Sequence, residues 1–570
     1  MSKEWLQNYP QGVSDTIALD RYSSLVELLD ESVKRYAKFD SYENMEKNLS
    51  YQELGELSEQ FAAYLQKVLG LKKGDRLAVQ MPNLLQYPVV LFGALKAGVI
   101  IVNTNPLYTP REMKHQFKDS GAKAIVILEN FAHHLKEVLE HTSIETVIVT
   151  AIGDMLSFPK RHLVNAVVRH IKKMVPSYEG IETVSFRDCL SWGAAHDFEA
   201  VEISKSDTVA LQYTGGTTGV SKGVVLSHQN VLANVLQVAS YLGPVVTKAD
   251  EGEQEVIVTP LPLYHIFSFT LNCITMLNYG AKNVLITNPR DFPAFIKTLS
   301  KCKGTIMTGV NTLYNALLNH KDIKQADFSR MKLSIGGGMA VQKFVSDKWE
   351  ELTGRAILEG YGLTETSPVL CVNPVNGKQR VGTIGLPVPM TEVKICDQEG
   401  QELSKGESGE LWARGPQVMK EYWQRPEETK KVLTTDGWFK TGDIAMELEG
   451  GFFKIVDRIK DMILVSGFNV YPNEIEDVIT LHEKVLEVAA VGHPSESSGE
   501  IVKVYVVKKE DSLTKEELIE FCRKNLTGYK IPKIVEFRKE LPKTNVGKIL
   551  RRALREESIE KKTLQQSSVA

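Results

Sequence analysis

Over roughly the first 350 residues, short apolar runs alternate with stretches whose apolar positions recur at helical spacing. Asp75-Arg-Leu-Ala-Val-Gln80 reads as a strand, Leu84 to Lys96 as a helix, and Val99 to Val102 as a short buried strand. Ala122 to Leu128 and Thr146 to Thr150 are further apolar runs with a helical stretch between them. Strand, helix and strand in that order predict parallel sheets covered by helices. Thr208 to Tyr213 and Val224 to Leu226 read as strands joined by a polar loop, and Ser227 stands where a helix N-cap belongs. The helix that follows carries Val231, Leu232, Val235, Leu236, Ala239 and Leu242.

From about residue 380 the texture changes. Glu392 to Ile395, Gly409 to Ala413 and Gly451 to Val456 are short β-type runs separated by glycine and charge, the pattern of a small barrel or antiparallel sheet. After Asp457-Arg-Ile-Lys-Asp461 a βα pattern returns, with helices over 474–480 and 515–524 and strands over 485–491 and 502–507. The expected fold class is α/β. A large N-terminal domain over 1–456 holds two βα sheet subdomains and a β-barrel-like part from about 380. A hinge at 457–461 leads to a small mobile α+β domain over 462–570.

At 570 residues the chain exceeds what one compact core accommodates. With 43% apolar and 24% charged residues, the composition is that of an ordered globular protein. A formal charge of −3 carries no nucleic-acid signature. Cys189, Cys273, Cys302, Cys371, Cys396 and Cys522 are scattered without a C-x-x-C, which predicts buried thiols in a reducing compartment. Met-Ser-Lys-Glu-Trp places charge where a signal peptide needs an apolar core. The best candidate for a membrane span, Tyr87 to Val102, contains Lys96 and is broken by Gly93 and Gly98. A cytoplasmic protein is expected, with any membrane contact peripheral. Oligomeric state is open, a homodimer being one arrangement the chain allows.

Candidate chemistry begins with Tyr213-Thr-Gly-Gly-Thr-Thr-Gly-Val-Ser-Lys-Gly223. Glycines let a backbone approach an anion closely, hydroxyls donate to phosphate oxygens, and lysine supplies charge. A polyphosphate suits such a loop, and a plain surface turn is the alternative. It is not the helix-opening P-loop, since a serine precedes Lys222 and a glycine follows it. Tyr361-Gly-Leu-Thr-Glu365 follows the triplet Gly336-Gly-Gly338 and offers an aromatic ring, a hydroxyl and a carboxylate. With the first loop, these groups suit Mg²⁺-ATP, because Mg²⁺ takes one or two protein groups plus phosphate. Lys440-Thr-Gly-Asp443 puts an acid in a tight turn, suited to ribose hydroxyls. Pro542 to Lys548 sets a lysine after a glycine turn, and His265 stands among apolar residues with Phe267 and Phe269. Each of these alone has an ordinary structural reading: an acid in a turn, a surface lysine, a core histidine.

Taken in order, Tyr213–Gly223, Pro262–His265, Tyr361–Glu365, Thr441–Asp443, Asp457–Lys460 and Lys548 resemble the adenylate-forming superfamily of acyl-CoA synthetases, adenylation domains and luciferases. Asp436–Asp443 through Val465–Pro472 resemble its fatty-acid branch, and Trp5–Pro10 and Pro82–Pro88 resemble bacterial long-chain fatty-acid–CoA ligases. The resemblance implies that Tyr213, Thr214, Gly215, Gly216, Thr217, Thr218, Gly219, Lys222 and Gly223 clasp the β- and γ-phosphates. It implies that Tyr361, beside Gly362, sandwiches adenine against Gly336, Gly337 and Gly338, and that Asp443 and Arg458 hold the ribose. Thr364 touches the α-phosphate, Thr214 and Glu365 bind Mg²⁺, and Lys548 bridges the acid to the α-phosphate. Lys460 is the hinge, Gly467 lines a coenzyme A channel, His265 supports the acyl pocket, and Phe269 is the candidate tunnel gate. The implied substrates are a long-chain fatty acid, ATP and coenzyme A. Medium-chain or aryl acids, acyl transfer to a carrier protein, light emission and a non-catalytic sensor are the alternatives. No Ser/His/Asp or Cys/His constellation is evident, and this reaction needs no protein nucleophile.

Pro159 to Pro176 contains no acid but Lys160, Arg161, Arg169, Lys172 and Lys173. Leu163, Val164, Val167, Val168, Ile171, Met174 and Val175 fall on one helical face. Such a helix suits an anionic membrane, here the inner membrane, or else packs on the core with a solvated basic rim.

Overall fold

The computed structural model describes residues 3–214, 221–375, 377–495, 498–544 and 547–558. Two large sheets dominate. In the first, Ile100–Asn103, Arg76–Gln80, Ala124–Leu128, Thr146–Thr150 and Val184–Ser185 run parallel, with Thr208–Tyr213 parallel to Ile100–Asn103 on the other side. Gly223–Ser227 turns back antiparallel along Thr208–Tyr213, and the short strand Glu421–Tyr422 completes that edge. The second sheet has a parallel centre of Ile357–Gly362, Leu333–Gly336, Ile306–Gly309, Val256–Thr259, Lys282–Leu285 and Asp40–Asn44, flanked by antiparallel edges.

Helix Gln86–Lys96 is buried along its whole length, so its sequence shows no polar face. It starts two residues later than the pattern predicts, and the strand after it spans Ile100–Asn103. A side chain at Gly93 would place its Cβ 2.8 Å from the Ser58 carbonyl oxygen, so the close approach of two helices requires glycine there. Ser227 caps helix His228–Leu242 as expected, in a capping box with Asn230.

Glu392–Cys396, Ser408–Arg414, Phe439–Leu448 and Phe452–Arg458 form a four-stranded antiparallel sheet. Arg458 ends its last strand. Beyond it, Ile463–Val465, Phe468–Val470, Val485–Ser495, Gly499–Lys508 and Ile534–Arg538 form a sheet with its own apolar core, covered by helices Pro472–Thr480 and Lys515–Asn525. The cysteines are buried thiols, Cys302 half-buried. Among the described residues no helix is long and apolar enough to cross a membrane.

Segment 159–176 departs from a packed amphipathic helix. It is α-helical only over Lys160–Ala166 and continues as a π-type turn, Val167–Ile171. Of the seven apolar positions only Val168 is buried. Phe158, Leu163, Ile171 and Met174 are 79, 63, 75 and 51% exposed.

Candidate active site

The loop that first suggests a polyphosphate is closed at its base by the hairpin register Tyr213↔Gly223 and by the Thr214 N–H donating to the Lys222 carbonyl at 3.0 Å. Gly215, Gly216, Thr217, Thr218 and Gly219 lie outside the described residues. The Tyr213 hydroxyl donates to Asp119 Oδ2 at 2.7 Å, and its ring lies 3.1 Å from where a Gly223 Cβ would stand. Tyr213 therefore braces the base of the loop, with its polar end committed to helix Pro110–Ser120. From the same helix, His115 Nε2 lies 2.9 Å from the Ser221 carbonyl oxygen.

Neighbouring parallel strands deliver the glycine triplet and Tyr361. A Cβ on Gly337 would lie 3.0 Å from the Phe267 ring and 3.2 Å from the Gly360 carbonyl, so a side chain there would close the gap between the strands. Gly338 has φ +78°, and a Cβ there would lie 3.2 Å from Lys548 Cε. The Tyr361 hydroxyl donates to Asp443 Oδ2 at 2.6 Å, and Arg458 Nε approaches Asp443 Oδ1 at 3.1 Å. Asp443 and Arg458 are direct cross-strand partners, so the sheet itself sets their pairing. Burial, then the charge of Asp443, holds the Tyr361 phenol well above its ordinary range. The charge of Asp443 also raises Arg458, which stays cationic.

Gly362 passes so close to Pro368 that any Cβ would overlap its carbonyl, which fixes the turn Thr364–Thr366. Glu365 Oε1 accepts from the Tyr422 hydroxyl at 2.7 Å. Glu365 and Thr214 bring one carboxylate and one hydroxyl, oxygen donors of the type that Mg²⁺ takes when it is carried in on phosphates rather than held in a protein cage. Among the described residues no group of three or more His, Cys, Asp or Glu side chains is placed to hold a metal.

Lys548 arrives from the far end of the chain. Thr312 Oγ1 donates to the Gly547 carbonyl at 3.0 Å, which seats the turn on helix Asn311–Leu318, and within the turn the Lys548 N–H donates to Thr544 Oγ1 at 3.1 Å. Burial, followed by the nearby Arg458 charge, pushes the Lys548 amine down to about 8. His265 is half-buried and its Nδ1 accepts from the Phe267 N–H at 3.3 Å. Burial and the Lys548 charge push His265 down to about 3, so it is neutral.

The remaining three named residues lie in different settings. Phe269 is fully buried in the main apolar core. Gly467 sits at φ +84° on an exposed hairpin tip with nothing within 4 Å of its Cβ position. Lys460 is solvent-exposed beside Arg458, its carbonyl accepting from Arg555 at 2.9 Å. Partial desolvation and the Arg458 charge lower its amine.

Sequence reasoning missed Asp119, Tyr422 and Glu428. Asp119 accepts from Tyr213 and pairs with Arg425 at 2.7 Å, and Glu428 pairs with Lys222 at 2.5 Å. None belongs to a glycine-rich run or recurrent spacing, so only the packing of distant segments reveals them.

A wall of adjacent parallel strands, a tyrosine–aspartate–arginine cluster and a lysine from a turn beyond the small C-terminal sheet together define a nucleotide-using enzyme. The chain belongs to the AMP-binding enzyme family, whose model matches residues 29–423, with the model of the AMP-binding enzyme C-terminal domain matching 474–548. It is 56% identical to the long-chain-fatty-acid–CoA ligase of Escherichia coli O157:H7, over 98% of this chain and 99% of that one. With that of Haemophilus influenzae it shares 52% over 99% of this chain and 100% of that one. Among solved structures it is similar to the anthranilate CoA ligase AuaEII in complex with anthranoyl-AMP, with 25% identity, a TM-score of 0.83, and coverage of 94% of this chain and 97% of that one. ATP-bound MatB from Rhodopseudomonas palustris has 26% identity and a TM-score of 0.80, over 93% of this chain and 98% of that one.

Proposed function

We propose that this protein is an AMP-forming ligase that activates long-chain fatty acids with Mg²⁺-ATP and passes the acyl group to coenzyme A. The observation that carries the reading is the seating of Lys548 beside Gly338, near enough to Arg458 and Asp443 for their charges to shift its proton affinity. High identity to long-chain-fatty-acid–CoA ligases along nearly the whole chain supports the substrate class.

In the first half-reaction the fatty carboxylate attacks the α-phosphorus, the bond to pyrophosphate breaks, and acyl-AMP forms. Two anions must meet, and the repulsion is offset by cations placed where charge develops. Lys548 supplies one such charge from the small domain and Lys222 another at the phosphates. Tyr361 packs on the adenine against the glycine strand, while Asp443 accepts from the ribose hydroxyls. Thr214 and Glu365 would hold Mg²⁺, whose chemistry is charge neutralisation and alignment of the phosphates. In the second half-reaction the coenzyme A thiolate attacks the acyl carbonyl carbon, and the C–O bond to AMP breaks. The small domain turns about Lys460, withdrawing Lys548 and bringing Gly467 to the pantetheine path, where a larger side chain would stand in the way. The exposed setting of Gly467 supports that reading, since it is free to be presented elsewhere. His265, kept neutral, lines the acyl site without adding charge to an apolar tunnel.

The test is incubation with Mg²⁺-ATP and palmitate, with and without coenzyme A, quantifying AMP, pyrophosphate, acyl-AMP and acyl-CoA. Turnover to palmitoyl-CoA and AMP only when coenzyme A is present is expected. Acyl-AMP that never becomes thioester would move the assignment to carrier loading, and no adenylate at all would overturn it.

A second reading concerns segment 159–176, whose exposed Leu163, Ile171 and Met174, with the preceding Phe158, stand beside the exposed Lys172 and Lys173. Apolar side chains rimmed by cations suit the anionic membrane face where fatty acids partition. Among the described residues Arg169 pairs with the buried Glu129 at 2.7 Å and Lys160 with Glu46 at 3.0 Å, and Arg161 is half-buried, so the fully exposed cations without an acid partner are Lys172 and Lys173. Reversal of those two charges is expected to reduce co-sedimentation with phosphatidylglycerol vesicles, and unchanged binding would refute the contact.

A further inference from the structure

Lys222 stands at the base of the glycine-rich loop, and its side chain meets an acid. Its Nζ lies 2.5 Å from Glu428 Oε2 and 5.0 Å from the centre of the Tyr422 ring. Glu428 stands in the first turn of helix Pro426–Val432, and its second oxygen pairs with Lys431 at 2.5 Å. The arrangement is anchored to the loop's own strand. Glu421 and Tyr422 pair with Val225 and Val224, the Trp423 N–H donates to the Gly223 carbonyl at 2.7 Å, and the Tyr422 N–H donates to Thr429 Oγ1 at 3.0 Å. Lysine and acid are thus held in register by backbone pairing, so their meeting does not depend on a chance surface rotamer.

An ammonium group offers three donors and accepts nothing, so Lys222 can satisfy a carboxylate oxygen or a phosphate oxygen in the same way. The Lys222 and Glu428 side chains are 35 and 32% exposed, which makes their pair weak and open to exchange. Lys431 would remain with Glu428 after Lys222 departed, so the exchange strands no lone carboxylate. The two lysines together hold the Glu428 carboxyl down at about 2, fully ionised at any working pH.

We infer that Glu428 is a resident counter-anion for Lys222, keeping the lysine poised until the triphosphate of ATP displaces it. Glu428 is a positioning residue, acting through Lys222 without touching the nucleotide. The inference rests on the proposed role of Lys222 at the phosphates. It has a directional consequence: removing the carboxylate charge removes a competitor, so ATP should bind more tightly.

The experiment measures equilibrium binding of Mg²⁺-ATP and of AMP to the full chain for the parent protein, Glu428→Gln, Lys222→Ala and the double variant. Glu428→Gln is expected to tighten ATP about three- to fivefold, the scale of one exposed ion pair, and to leave AMP unchanged because AMP lacks the outer phosphates. The gain should vanish in the Lys222→Ala background, as the cycle isolates the pairwise coupling. Weaker or unchanged ATP binding in Glu428→Gln would overturn the inference. So would a gain that persists without Lys222, or an equal gain for AMP, since either would mark a general field or a structural effect. Should Lys222→Ala alone leave ATP affinity untouched, the phosphate role of Lys222 fails first and the inference falls with it.

Discussion

At the proposed adenosine end of the site, Asp443 is buried where Tyr361 and Arg458 meet, and all three belong to strands of two sheets. At the proposed phosphate end, Lys222 reaches out to a half-buried glutamate and Glu365 accepts from a tyrosine hydroxyl. The first end is wired in place before any ligand arrives, and its donors and acceptors lose little freedom on binding. On the inference drawn for Lys222, the second end would trade partners during the cycle, because pyrophosphate must leave after each turnover. A recognition surface gains from rigidity, and a surface that releases its product gains from partners that can be replaced.

The largest expected effect falls on neither end alone but on the residue that joins them. Lys548→Ala should lower acyl-AMP formation by about 10²–10³, the scale for loss of one preorganised stabilising group, while thioester formation from supplied acyl-AMP persists. Half-reaction rates measured separately would decide it, and loss of the second step alone would contradict the assignment. The complementary variant Gly467→Leu should keep acyl-AMP formation and lose thioester formation. Equal loss of both would place Gly467 outside the coenzyme A path.

Asp443→Ala strikes the prewired end. It leaves Arg458 without its carboxylate, and ATP and AMP affinity should both fall about 10–100-fold, as expected for a charged hydrogen-bond partner. If only ATP weakened, the adenosine assignment would be wrong. Tyr422→Phe strikes the exchangeable end and should raise the Mg²⁺ concentration needed for half-maximal ATP binding about 3–10-fold, leaving AMP binding unchanged. An unaltered Mg²⁺ requirement would mean that Glu365 needs no support.

The smallest effect is on the pH profile. Lys548 acts as a cation and its amine is pushed down to about 8, so the charged form is lost as pH rises through that value. kcat/KM for adenylation should therefore decline above about pH 8, whereas the basic limb should move upward in Lys548→Arg, because a guanidinium stays charged. A basic limb unmoved by that replacement would assign the titration to another group.

Legibility in the sequence followed the range of the forces involved. The two strands beside the phosphate loop, the Ser227 cap and the return to βα texture after Asp461 were readable, since each depends on neighbours within a few positions. Helix Gln86–Lys96 was recognisable, although its start was displaced by two residues. Segment 159–176 showed the limit of periodicity: a helical stripe of apolar residues ordinarily marks a packed face, and here only Val168 of the stripe is buried. The candidate nucleotide groups were visible as unusual local clusters, but their mutual distances were not.

By itself, the chain's order of residues determined the α/β texture, the glycine-rich and tyrosine–threonine–glutamate segments, and the chemical repertoire each could bring to a nucleotide. Those are local matters of side-chain type, backbone freedom and hydrophobic spacing. Only the tertiary structure decided that Asp443 answers Tyr361 across two sheets, and that Lys548 enters beside Gly338 and loses proton affinity there. It alone placed Glu428, 206 residues along the chain, against Lys222. Such contacts arise from the packing of whole sheets, where burial strengthens charge interactions and separation along the chain no longer measures distance.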